Sequence, residues 1–401
     1  MRIAVIGAGI VGVATAHELA LAGFDVTVFE QRGSVAAEAS FAIGGLIGPG
    51  HAAPWGSSLT PRASMLMHLP WLWRRWRTMR RPRGAWWSAA LHRLASFSRD
   101  RMLELARTLD MEFEQNPGCL VLLRTAGDLK RAQPGLAQLR EWGVAHELVE
   151  AGSARAMEPG LGDTTPLYAA LHLPHDGVGN CRQFAHLLKA QTQRQGARFR
   201  FDLAVSRLSP GEQPQLRTSD GEQHGFDRIV VCTGAAAAEL LAPLKLRLPL
   251  VPVYGYAVTA PLRPIEGLPL PGPRAALIDQ RHHVSITRLG QRVRVAGIHE
   301  LGGRPDANAL PALRTLYRVL EDWFPGAASL RDAQHWRGAR PTLPEALPVL
   351  GDSGLPGIWL NLGHGAAGWS LACGAARVLS EQMAGRTPPI ETTGLTIERW
   401  R

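Results

Sequence analysis

An α/β domain on a parallel sheet, interleaved with an α+β domain on a mostly antiparallel sheet, is the fold class that this 401-residue sequence predicts. Three observations carry it. The chain opens on a short apolar run, a glycine-punctuated turn and a helical segment. Two further strand–turn–helix units follow, over 226–244 and 357–385. Between these units, 117–177 and 244–334 carry alternating apolar and polar runs such as "RVRVAG" and "HHVSITRL", the period of strands half buried in a sheet.

The opening unit is the most informative. Ile3, Val5 and Ile6 make an apolar run too short for a helix and bounded by glycine, which predicts a buried parallel strand. Gly7, Gly9 and Gly12 are spaced G-x-G-x-x-G, and 13–22 then reads as a helix ended by Gly23. The first glycine permits the sharp turn, the second lets a pyrophosphate approach bare backbone, and the third lets helix and strand pack closely. Unpaired N–H groups at the helix start face the phosphates. "DVTVF" is a second strand, and Glu30 stands at its tip, 18 residues past Gly12. An acid there binds both ribose hydroxyls and repels a 2′-phosphate, which disfavours NADP. The stretch is therefore Rossmann-like and binds a dinucleotide, FAD or NAD being left open by the stretch alone.

The later units follow in order. Residues 39–50, "ASFAIGGLIGPG", form a small-residue loop after the second strand. Residues 229–232 are a second buried strand running into a turn at Gly234 and a helix. "GIWLNLGHGAAGWSLACGAARVLSEQMAG" reads as strand, glycine loop and helix, with Gly385 as cap and Pro388 beyond. "LPALRTLYRVLEDWF" supplies helical cover for the antiparallel sheet. No second G-x-G-x-x-G opens a helix in mid-chain, so one dinucleotide is expected, and its electrons come from a substrate rather than a pyridine nucleotide.

Composition narrows the function classes. Hydrophobic residues at 45% and charged residues at 19% describe a folded soluble protein large enough for two domains. Cys119, Cys181, Cys232 and Cys373 are scattered, which suggests neither a zinc site nor a disulfide framework. No export signal and no apolar run of about 18 residues is evident, so a cytoplasmic protein is expected. The net charge of +10 invites a nucleic-acid reading, but only Lys130, Lys189 and Lys245 of the 44 basic residues are lysine, a skew of compositional kind, and no nucleic-acid motif accompanies it. One basic cluster stands apart: "LPWLWRRWRTMRRPRGAWW", 69–87, holds five tryptophans and six arginines. That composition suits a segment lying at a membrane surface, with the protein peripheral on the inner face of the plasma membrane. No Ser/His/Asp set or metal-ligand cluster argues for hydrolysis, and His282–His283 reads as a strand edge.

These residues resemble the FAD-dependent D-amino-acid dehydrogenases, within the wider D-amino-acid oxidase and glycine oxidase superfamily. The similarity runs from end to end: through "ASFAIGGLIGPGHAAPW", "VVCTGAAAAELLAPLKLRLPLVPVYGYAVT", "RVRVAGIHEL", "HWRGARPTLPEALPVLG" and "LNLGHGAAGWSLACGAARVLS". The resemblance implies FAD, held non-covalently, in a Rossmann-like FAD-binding domain made of 1–60, 178–243 and 335–401. It implies a mostly antiparallel-sheet substrate domain made of 61–177 and 244–334, lying over the flavin. Position by position, Gly7, Gly9, Gly12 and Glu30 would bind the ADP half, and Ser40 the phosphate or ribityl region. Gly363, His364, Gly365 and Gly368 would form the loop at the flavin ring, where the N–H groups of the following helix stabilise the reduced, anionic ring.

Arg340, in "GARP", matches the arginine that such enzymes use to clamp an amino acid's carboxylate, a planar two-point bond that lysine does not reproduce. Tyr256 and His51 are the further catalytic candidates, Tyr256 for the same carboxylate or the pocket wall. The sequence differs from the subfamily at Ile43, His51 and Tyr254, where relatives carry asparagine, tyrosine and lysine. The expected reaction is oxidation of a D-amino acid to the imino acid by hydride transfer to flavin N5, followed by hydrolysis to the 2-oxo acid and ammonia. A glycine, sarcosine or hydroxyproline-type oxidase or dehydrogenase is the alternative, and a flavin-bearing docking subunit is the alternative of another class. Contact with a membrane would favour a quinone or another respiratory-chain acceptor.

Overall fold

A computed structural model describes residues 1–51, 59–60, 63–79, 83–263, 271–302 and 309–400, with the side chains of 60, 63–64 and 83–88 left aside. The first strand, Arg2–Ile6, lies inside a six-stranded sheet. Its neighbours are Asp25–Phe29 on one side and Arg228–Val231 on the other, both parallel. Arg198–Arg200 and Ile358–Leu362 extend the sheet in parallel on either flank, and Val349–Asp352 closes one edge antiparallel. Every interior residue of Arg2–Ile6 is buried, as an apolar run covered on both faces requires.

The helices Ile10–Leu21, Cys181–Arg194 and Gly368–Met383 cover one face of this sheet through a core that includes Val13, Leu19, Phe184, Trp369 and Leu379. A small antiparallel sheet, Val205–Ser209, Gln215–Thr218 and Gln223–Gly225, packs on the other face through Leu208 and Leu216.

The second sheet has ten strands among the described residues. Its order is Gln334–Thr342, Val251–Pro261, Arg292–Leu301, Val284–Leu289, Ala276–Asp279, Asn116–Leu123, Ala169–Val178 and Leu46–Ile47, with Leu59–Thr60 and Glu147–Glu150 attached beside it. All pairs are antiparallel except Ala276–Asp279 on Asn116–Leu123 and Leu59–Thr60 on Arg292–Leu301. The helix Leu310–Trp323 backs it, burying Leu316, Val319 and Trp323 against Tyr256, Val258 and Val295.

The fold class is thus the expected one, a parallel nucleotide-type sheet interleaved with a mostly antiparallel one. The two sheets exchange segments more finely than the sequence boundaries drew them. Leu46–Ile47, within 1–60, and Gln334–Thr342, at the start of 335–401, both belong to the antiparallel sheet. Conversely the long helix Arg83–Thr108, within 61–177, packs on Gly368–Met383, where Ser98 Oγ accepts from Gly374 N at 3.0 Å. His282 and His283 lie in the turn after Ala276–Asp279 rather than on a strand edge, and His282 bonds Asp279 at 3.1 Å.

Candidate active site

The glycine turn is built as its spacing predicts. Gly7 takes a left-handed φ of +97°, and Gly12 packs so close that a Cβ there would lie 1.9 Å from Gly7 O. Glu30 is buried at the tip of Asp25–Phe29 and fastens this turn: Oε2 accepts from Ala8 N at 2.6 Å and Oε1 from Arg32 N at 2.9 Å. Ser40 reaches the start of the first helix, its Oγ accepting from Ile10 N at 3.1 Å, which leaves its own proton free to be donated.

Gly7, Gly9, Glu30 and Ser40 line one end of a cavity of about 440 Å³ whose other end is lined by Arg340 and by Gly363, His364, Gly365 and Gly368. The structure therefore brings together the two glycine segments, which are more than 300 residues apart. Three buried polar atoms of residues lining this space, Thr233 Oγ1, Asn361 Oδ1 and His364 Nε2, have no hydrogen-bond partner among the described residues. Orphaned buried groups on a cavity wall are groups awaiting a polar ligand. Burial pushes His364 down to about 3, so its ring is neutral at physiological pH.

Arg340 stands at 8% exposure on Gln334–Thr342. Its guanidinium lies across Gly255 of the paired strand, where a Cβ would come within 2.6 Å of Cζ. It has no hydrogen bond or ion pair to any described residue, and burial alone pushes it down to about 10, still protonated at neutral pH. A buried, uncompensated cation is costly unless an anion joins it. Two residues on, Thr342 forms an antiparallel bridge with His364, which ties the arginine's strand to the glycine loop.

The other two catalytic candidates fall elsewhere. Val253 pairs with Arg340 and Gly255 with Gly338, so Tyr254 and Tyr256 project from the opposite face of the sheet. Tyr256 donates to Glu300 at 2.7 Å, accepts from Arg337 Nε at 3.0 Å and sits in the core beneath Leu310–Trp323. It cannot reach a carboxylate held by Arg340. His51 does not line the cavity; its N–H donates to Asp176 at 2.7 Å, and its Nε2 lies 3.2 Å from Ser370 Oγ. Ser370, His51 and Asp176 lie side by side, a set invisible in the sequence, but His51 Nδ1 is 3.5 Å from Asp176 and Ser370 already donates to Leu46 O at 2.9 Å. Of the departing positions, Ile43 lines the cavity, while Tyr254 lies under the Arg337 guanidinium on the far face.

Comparison with known proteins agrees with this geometry. The family model for DAO, FAD dependent oxidoreductase, matches residues 2–382. The chain belongs to this FAD-dependent oxidoreductase family. It is 38% identical to the D-amino acid dehydrogenase of Cereibacter sphaeroides over 431 aligned positions, covering all of this chain and 95% of that one. It is 36% identical to the D-amino acid dehydrogenase of Rhizorhabdus wittichii, with both chains covered in full. The glycine oxidase of Geobacillus kaustophilus shares the fold with a TM-score of 0.78 at 20% identity, over 99% of this chain and 98% of that one. The cavity fits the family's cofactor: a glycine cradle and a buried acid at one end, orphaned polar atoms along the wall, and a helix N-terminus at the other.

Two features of the oxidoreductase were missed in the sequence: Gly255, which makes room for the arginine, and Trp336, which shares its face. Counting back by twos from Arg340 through "HWRGAR" reaches Gly338 and Trp336, so half of this signal was present; the pairing with Gly255 was not.

Proposed function

We propose that this flavoenzyme oxidises D-amino acids to imino acids, which water hydrolyses to 2-oxo acids and ammonia. The observation that carries this reading is the Arg340 guanidinium, buried without a counter-charge where the cofactor cavity meets the substrate sheet. A carboxylate supplies that charge in a bidentate pair, with two parallel N–H···O bonds that set orientation as well as affinity. The names of the full-length relatives support a D-amino acid as its bearer.

Gly7, Gly9, Gly12, Glu30 and Ser40 hold the ADP side of FAD in this proposal, and Gly363, His364, Gly365 and Gly368 the flavin side. When bound, FAD supplies the two-electron acceptor for the hydrogen on the substrate's α-carbon. The protein's own contribution is position and field. Arg340 fixes the carboxylate, the Thr342–His364 bridge fixes the arginine relative to the glycine loop, and free N–H groups at the start of Gly368–Met383 present positive potential to the cavity. The substrate amine reacts as the free base, its proton passing to water, so no protein base is required. Burial pushes the thiol of Cys232, on the cavity wall, up to about 12.

Anaerobic mixing of purified holoenzyme with a panel of D- and L-amino acids, glycine, sarcosine and hydroxyproline tests the reading. Bleaching of the flavin by acyclic D-amino acids is expected. Bleaching confined to glycine, sarcosine or cyclic amines would replace the proposed substrate, and an unbleached flavin throughout would leave only a docking role.

A second observation favours a membrane surface as the working place. On the helix Leu69–Met79, Trp71 is buried while Trp73 and Trp76 are 55% and 52% exposed, on one face with Leu69 and Met79 and just beyond exposed Leu66 and Met67. Arg74 and Arg77 flank them, and Arg77 lies 5.2 Å over the Trp73 ring. An apolar ridge with tryptophans and arginines suits insertion to headgroup depth in an anionic bilayer, and supports a lipid-soluble quinone as electron acceptor. Residues 80–82 and the side chains of Arg83, Trp86 and Trp87 lie outside the described residues. Among the described residues no helix is long and apolar enough to cross a membrane. Co-flotation with anionic vesicles tests this; a protein left at the bottom of the gradient at low salt would overturn it.

A further inference from the structure

We infer that Trp336 sets the size of the substrate side chain, an inference that rests on the proposed role of Arg340. Gly255 and Gly338 are directly paired on adjacent antiparallel strands. The Arg340 guanidinium lies across the first: a Cβ at Gly255 would meet Cζ and Nη2 at 2.6 Å. The Trp336 indole lies across the second: a Cβ at Gly338 would meet Cζ2 at 2.0 Å and Cη2 at 2.2 Å. Opposed Cα atoms in such a pair are about 4.5–5.5 Å apart. The two side chains therefore lean towards each other over one floor of bare backbone, the indole edge about one residue's width from the guanidinium.

Trp336 stands beyond the cofactor cavity, on the side away from the glycine loop. An amino acid whose carboxylate is seated on Arg340 carries its side chain one bond further on, and that side chain must pass the indole. The apolar neighbours of Trp336 on this face are Phe41, Ala42, Ala257 and Ala296. Three of the four are alanine, which leaves a shallow recess beneath the ring. Trp336 thus limits the size of the side chain, and Gly255 and Gly338 are glycine because guanidinium and indole occupy the space of their side chains.

The test compares Trp336→Phe and Trp336→Ala holoenzymes with the parent. The first readout is anaerobic flavin reduction by D-alanine and D-phenylalanine. The second is binding of acetate and benzoate, followed by perturbation of the flavin spectrum, which needs no turnover. Trp336→Ala should raise the preference for phenylalanine over alanine, and for benzoate over acetate, by about tenfold or more, the scale set by apolar fit in a pocket. Trp336→Phe should fall between. If Trp336→Ala does not hold FAD, the phenylalanine variant alone decides, since it keeps an aromatic wall of smaller volume. Ratios within twofold of the parent in a variant that keeps FAD would overturn the inference. Failure of the parent itself to be bleached by any D-amino acid would instead overturn the proposed function, and the acetate and benzoate arm separates the two.

Discussion

A methyl group at Gly255 would sit 2.6 Å from both Cζ and Nη2 of Arg340 and 2.9 Å from its Nε. Those atoms are the far end of a long side chain, so Gly255→Ala moves the guanidinium rather than the fold. The backbone at Gly255 is not left-handed, and alanine in a strand interior is about 0.5–1 kcal/mol better than glycine. Thermal stability should therefore hold or rise slightly. FAD retention should be unchanged, because the glycine turn and the flavin-side loop are untouched. Substrate binding should not be. Removing one partner of a buried carboxylate pair costs about 2–5 kcal/mol, and a displaced guanidinium belongs at the lower end, about 2 kcal/mol or thirtyfold in kcat/KM. The assay is anaerobic flavin reduction against D-alanine concentration, beside flavin content and a melting curve. Parent-like substrate dependence in Gly255→Ala would refute the placement of the carboxylate on Arg340. Loss of FAD in the same variant would refute the separation of the two sites.

Gly12→Ala drives a Cβ to 1.9 Å from Gly7 O, backbone against backbone, so the variant should emerge colourless and with a lower Tm, as visible absorbance and calorimetry would report. Asp279 is fully buried, and against the upward push of desolvation, bonds from His282, Trp323 Nε1 (2.7 Å) and Arg124 hold its carboxyl far below the usual carboxylate range. Its folded value lies below its unfolded one, so the stability it contributes is complete above about pH 4 and is lost as pH falls towards the folded value. Asp279→Asn should cost about 3–5 kcal/mol at pH 7 and flatten the acid limb of a plot of Tm against pH; an unchanged limb would assign acid lability to other carboxylates. Replacing Trp73 and Trp76 with Ser should abolish vesicle flotation while leaving flavin reduction in solution at the parental rate; retained flotation would place the contact elsewhere.

The glycine-turn end of the cavity was readable from the sequence because it is local. Strand, glycine turn, helix and acid lie within 30 consecutive residues, and each glycine answers a steric demand set by a neighbour only a few positions away. The loop at Gly363–Gly368 was readable for the same reason. The substrate end depends on register. Tyr256 was a candidate for the carboxylate or the pocket wall because a hydroxyl has chemistry, but pairing of Val253 with Arg340 gives the arginine's face to Gly255. A shift of one residue exchanges the two faces of a strand, and no run of sequence states which register the partner takes. His51 failed for a different reason: it was weighed as a departure from relatives, whereas its contacts come from Asp176 and Ser370, each more than 100 positions distant.

Why the arginine is carried on a strand and not on a loop follows from what the reaction demands. Near-attack geometry requires reacting atoms about 3–3.5 Å apart, and a misplacement of 1 Å can cost about a hundredfold. Gln334–Thr342 meets that demand by belonging to both halves of the site. Its first residues are laddered to Val251–Pro261 in the substrate sheet, and its last, Thr342, is bridged to His364 in the flavin-side loop. Arg340 is only two residues from that bridge, about 6–7 Å of extended chain. Pro341 between them biases Arg340 towards extended backbone and locks its own φ. It removes no needed ladder bond, since it lies opposite Pro252 on a strand at the edge of the sheet. The distance from Arg340, the proposed carboxylate anchor, to the glycine loop is thus fixed by backbone pairing rather than by side-chain packing. Changes in the side-chain wall at Trp336 can then alter which substrate is accepted without altering where its α-carbon is held.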